Sequence, residues 1–156
     1  MSYCSGITMH FERYHRCMYD TIVVGTDGSE HAARALEHAV DLARACDATV
    51  HILTVVDPHS SPMRFGVVEV DEINRAAEEL VDDIVDEAAR NGIEIVGAVR
   101  RGRPAEAISH YAADVGADVL VVGRTGGGAV ERRLLGSTTD RLIRQAKRPV
   151  IVVPRK

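Results

Sequence analysis

An alternation restricts the fold of this chain more than any other feature. Five short apolar runs lie near residues 21–25, 50–56, 93–99, 119–122 and 150–153. Runs of this length, rich in Val and Ile and bounded by turn residues, read as strands. Between them, apolar residues recur at three- and four-residue spacing, which marks one face of a helix. The first such face is Ala32, Leu36, Ala39, Val40 and Ala43, and the second is Val70, Ile73, Ala77, Leu80, Val81, Ile84 and Ala88. The third is Ala105, Ile108, Ala112 and Val115, and the fourth begins with Leu142, Ile143 and Ala146. Strands alternating with helices predict an α/β fold: a doubly wound, five-stranded parallel sheet with helices on both faces. Punctuation agrees with this reading. Ser29 suits an N-cap, Asn91-Gly92 a helix stop and Pro104 a first helical position.

The fourth run carries the strongest chemical signal. After Val122 the chain breaks at Gly123, passes Arg124 and Gly126-Gly127-Gly128, and resumes a helical pattern at Gly136-Ser137-Thr138. A strand, a glycine loop and a helix start make an arrangement suited to phosphate. Glycine lets backbone N–H groups come close to an anion, and the first helical turn supplies unpaired donors. Ser137 is placed as an N-cap or as a hydroxyl donor. Pattern alone leaves a second reading open, a flexible connection whose glycines only permit turning. The loop is not a Walker A motif, since no Lys-Ser or Lys-Thr pair follows, nor is it the dinucleotide fingerprint.

The spacing G-x2-G-x9-G-[ST], formed by Gly123, Gly126, Gly136 and Ser137, resembles the signature of the ATP-binding branch of the universal stress protein family. Further segments carry the same resemblance: Gly25-Thr26-Asp27 after the first strand, Thr54-Val55-Val56-Asp57 after the second, Gly102-Arg103-Pro104, and the final Arg148-Pro149-Val150-Ile151-Val152-Val153. The matches run from about Met18 to Arg155. The resemblance implies strand order 3-2-1-4-5, with the reversal between the first and fourth strands. It implies an ATP site built from Gly25, Thr26, Asp27, Val55, Gly123, Arg124, Gly126, Gly127, Gly136, Ser137 and Thr138, with Mg²⁺ bound through the phosphates. It also implies a homodimer formed through the last strand, Val150, Ile151, Val152 and Val153. Locally, Asp27 reads equally as a turn aspartate bonding nearby N–H groups.

The function expected from these features is a nucleotide-dependent regulatory or stress-response module, with slow ATP hydrolysis at most. The alternative is a dimeric interaction module that does not use nucleotide. Composition narrows the partners. With 19 basic against 23 acidic residues the net charge is −4, which argues against a nucleic-acid binder relying on a basic face. No apolar run approaches the roughly 20 residues that span a bilayer. Arg100-Arg101-Gly102-Arg103 reads as a solvated turn or as a basic contribution to an anion site.

Residues 1–17 show no period and no long apolar core, so they read as a poorly ordered tail before a domain over 18–156, with Met18 a natural start. The segment at 63–68 is ambiguous and could cover a ligand at the strand ends. Cys4, Cys17 and Cys46 lack metal-ligand spacing, and an odd count without a secretion signal predicts free thiols in the cytoplasm.

Overall fold

Strand β1 (Thr21–Gly25) places Ile22, Val23 and Val24 wholly out of solvent, as expected of a central strand covered on both faces. The computed structural model describes residues 17–59, 67–124 and 135–154. After β1 come α1 (Glu30–Cys46), β2 (Thr49–Val56), α2 (Val67–Arg90), β3 (Ile95–Arg101), α3 (Pro104–Asp114), β4 (Val119–Gly123), α4 (Ser137–Gln145) and β5 (Val150–Val153). The strands are parallel and form one sheet in the order β3-β2-β1-β4-β5, as expected.

Side chains alternate across the sheet and divide the core in two. Ile22, Val24, Ile52, Val119 and Val121 pack beneath α1 and α2. Val23, Leu53, Leu120 and Val122 face the other way, against Ile108, Tyr111 and Ala112 of α3 and Leu142 of α4. On α2, the helix seats where β3 has no side chain. A Cβ on Gly97 would collide with Val81 and lie 3.0 Å from Val85 Cγ2.

Three details depart from the sequence reading. Ile143 is 47% exposed beside fully buried Leu142, because adjacent helical residues point about 100° apart and only one can face the sheet. Ile73 is 40% exposed, so burial on α2 falls to Ala77, Val81 and Ala88. The expectation of free thiols is also corrected, since Cys17 and Cys46 are joined by a disulfide with Cα atoms 5.0 Å apart. The reason is geometric. Helix α1 runs back antiparallel to β1, so its last residue returns to the level at which the chain enters that strand. Of the expected tail, residues 1–16 lie outside the described residues. Among the described residues, no helix is long and apolar enough to cross a membrane.

Candidate functional site

The strand order reverses between β1 and β4, and in open α/β sheets ligands bind beyond the carboxyl ends of the strands at such a reversal. From β1 the chain delivers Gly25, Thr26 and Asp27. Buried Thr26 continues the ladder by donating its N–H to Leu53 O at 2.9 Å, and its Oγ1 accepts from Gly28 N at 3.3 Å. Asp27 is exposed, and its Oδ1 accepts from Ser29 N at 2.9 Å. That bond is the turn aspartate expected locally, and it also holds the carboxylate at the rim. Ser29 then caps α1, accepting from Ala32 N at 3.3 Å.

Next in the sheet, Gly25 pairs with Leu53, so the register carries Thr26 opposite Thr54 and leaves Val55 at the same rim. Val55 is half-buried on the α3 and α4 side. Thr54 was not singled out from sequence. Among the described residues its buried Oγ1 finds no hydrogen-bond partner, an unusual state for a hydroxyl.

On the other side of the reversal, β4 delivers Gly123 and Arg124. Val24 pairs with Val121, which sets Gly25 beside Val122 and Thr26 beside Gly123. The first turn of α1 rests directly on this strand end: a Cβ on Gly123 would lie 2.8 Å from the His31 carbonyl oxygen. Gly123 therefore has a packing role that the glycine-loop reading did not include. Residues 125–134, with Gly126 and Gly127, lie outside the described residues, as does most of the ambiguous 63–68 segment.

The chain re-enters at α4, held against the end of β4 by two bonds. Gly136 N donates to Arg124 O at 2.9 Å, and the buried Thr139 hydroxyl donates to Gly123 O at 2.9 Å. The N-cap is Gly136 rather than Ser137, and no side chain caps the helix. Ser137, exposed, is the first helical residue, and Thr138 follows half-buried. The first bond within the helix runs from Asp140 N to Gly136 O. The preceding amides, at Ser137, Thr138 and Thr139, have no partner inside the helix and carry its positive dipole end. Such a turn can take an anion.

The arginines on β3 are engaged with other elements. Arg100 lies over the Tyr111 ring, with its Cζ 5.0 Å from the centroid, and Arg101 Nε donates to Asn74 Oδ1 at 3.0 Å. Tyr111 in turn meets His51, whose Nδ1 is 3.0 Å from the phenol oxygen. Burial holds the His51 imidazole below its ordinary pKa. It also raises the Tyr111 phenol, with the Arg100 charge pulling the other way.

The Universal stress protein family model matches residues 18–154, nearly the whole described fold. The chain belongs to the universal stress protein family. Among curated relatives, Universal stress protein MJ0531 of Methanocaldococcus jannaschii is 34% identical over 140 residues, covering 87% of this chain and 82% of the relative. Among solved structures, hypothetical protein MJ0577 superposes with a TM-score of 0.75 at 29% identity, covering 90% of this chain and 99% of that one. A universal stress protein solved in complex with cAMP is 32% identical with a TM-score of 0.68, over 88% of this chain and 98% of that one. Within this universal stress protein, the residues gathered at the β1–β4 reversal are thus set in a fold that holds a cyclic nucleotide in one neighbour.

Proposed function

We propose that this universal stress protein binds ATP at the β1–β4 reversal and acts in the cytoplasm as a nucleotide-dependent regulatory homodimer. The observation that carries the reading is the junction of Gly123, Arg124, Gly136 and Thr139. It brings the uncapped first turn of α4 against the end of β4, beside Thr26 and Asp27. The neighbour solved in complex with cAMP supports a nucleotide as the ligand class. Asp27 and Val55 would border the adenosine. Gly126 and Gly127 would continue the phosphate cradle that closes on the amides of Ser137 and Thr138. Mg²⁺ would bind through phosphate oxygens, its common mode where few protein ligands are needed. The protein's contribution is binding and orientation, with at most slow hydrolysis. Net charge of −4 argues against a nucleic-acid partner held by a basic face.

The test is a thermal-shift titration with ATP, AMP and GTP, with and without Mg²⁺, on wild type and Gly126→Val. A ligand that binds only the folded state stabilises it by about 2.7 kcal/mol at a hundredfold excess over Kd. An ATP-selective shift that the variant loses, with unliganded Tm unchanged, supports the reading. No shift with any nucleotide would overturn it and favour a dimeric interaction module. The observation favouring that second reading is β5, an edge strand whose four residues all remain half-exposed.

A further inference from the structure

We propose that Cys17 and Cys46 are a reversible redox pair that fastens the segment entering β1 to the end of α1. Their sulfurs are bonded across a sequence separation of 29, with β1 and α1 enclosed in the loop. Cys17 is exposed and Cys46 half-buried, so small thiols and disulfides reach the bond from solvent. Exposed disulfides are the labile, regulatory kind, whereas structural ones resist reduction.

The fold does not need this bond to hold β1 in place. Asp118 Oδ2 accepts from Asp20 N at 2.8 Å and from Thr21 N at 2.9 Å. Thr49 N donates to Asp20 O at 2.9 Å, and Tyr19 packs on the core beneath α1 and α2. These contacts secure the chain from Tyr19 onward in either redox state. Before Tyr19 stands Met18, 77% exposed, and then Cys17, which the disulfide to Cys46 ties to the body of the fold in addition to the backbone. Redox change therefore acts on Cys17 and Met18 and on the last turn of α1. It acts at the rim opposite Gly25, independently of nucleotide.

The step needs a small-molecule disulfide as oxidant. A cysteine thiolate attacks one of its sulfurs and expels a thiol, leaving a mixed disulfide. The second cysteine thiolate then attacks the protein-side sulfur and expels the other thiol. Two protein thiols are oxidised to one disulfide, the oxidant is reduced to two thiols, and the two thiol protons leave with them.

The experiment equilibrates the full chain in graded ratios of reduced to oxidised glutathione, followed by acid quench, alkylation and peptide mapping. The expected result is a Cys17–Cys46 cross-linked peptide that appears and disappears in one reversible transition and is lost in Cys17→Ser and in Cys46→Ser. Hydrogen exchange in the reduced protein should be at least several-fold faster at residues 17–18 and 45–48 and unchanged in β4, with both variants matching reduced wild type. Alkylation of all three cysteines throughout the series, pairing of either residue with Cys4, a cross-link that the reducing end does not open, or equal exchange in both states would each overturn the proposal.

Discussion

The Thr139 hydroxyl donates to the Gly123 carbonyl oxygen at 2.9 Å, joining the first turn of α4 to the last residue of β4. Both ends of the intervening loop are thereby fixed, whatever the loop binds. Thr139→Val keeps the shape and removes the donor, leaving the carbonyl short of a partner. Loss of a buried hydrogen bond of this kind costs about 1–2 kcal/mol. Urea denaturation should show that loss, and the ATP-dependent shift in Tm should shrink with it.

Gly123→Ala tests the seat of α1. The added methyl would meet backbone, 2.8 Å from the His31 oxygen and 2.9 Å from its carbonyl carbon, and backbone cannot turn aside as a side chain can. A cost of roughly 1–3 kcal/mol is expected from overpacking, read as a lower urea midpoint without ligand. Gly126→Val should leave that midpoint unchanged, which separates packing from binding within one motif.

The His51–Tyr111 contact gives a pH dependence whose sign is fixed by burial. Folding lowers the His51 pKa from 6.5, so below that value the unfolded chain binds more protons than the folded one. Stability contributed by the neutral imidazole is complete above pH 6.5 and declines as pH falls towards the lowered folded value. Urea midpoints between pH 7.5 and 5 should therefore fall, and His51→Gln should flatten the slope.

Edge pairing through β5 is open to a backbone test. Leu120 N donates to Pro149 O and Arg124 N to Val153 O, so by alternation the main-chain groups of Val150 and Val152 face outward. Val152→Pro removes one outward donor while sparing the bonds to β4. Light scattering at micromolar concentration should give a dimer for wild type and a shift towards monomer for the variant. A wild-type monomer would refute the dimer.

Much of this architecture was legible because β-branched runs and three-to-four spacing leave few alternatives. The strands at Ile22-Val23-Val24 and Val119–Val122, and the cap at Ser29, are local in origin and read directly. The implied strand order came from the family resemblance. What escaped were features set by distance in space. Periodicity could not decide that Leu142 rather than Ile143 faces inward, or that α4 starts one residue after Gly136 with Thr139, not Ser137, reaching back to β4. The orphaned Thr54 hydroxyl and the Gly123–His31 approach depend on neighbours brought in from other elements. The Cys17–Cys46 bond required knowing where a helix of that length ends relative to the start of β1.

Helix α1 has 17 residues, about 25 Å at 1.5 Å per residue, and so reaches from one rim of the sheet to the other. Its fully buried side chains are Ala32, Ala35, Ala39, Val40 and Ala43, a fairly smooth face to which only the part-buried Leu36 and Leu42 add bulk against the core. A smooth rod is stiff along its length but poorly indexed against the surface on which it lies. Its position along the strands is therefore held most closely where His31 meets Gly123, with Leu36 and Leu42 resting on the core behind that contact, and the bond at Cys46 bears only on the far end.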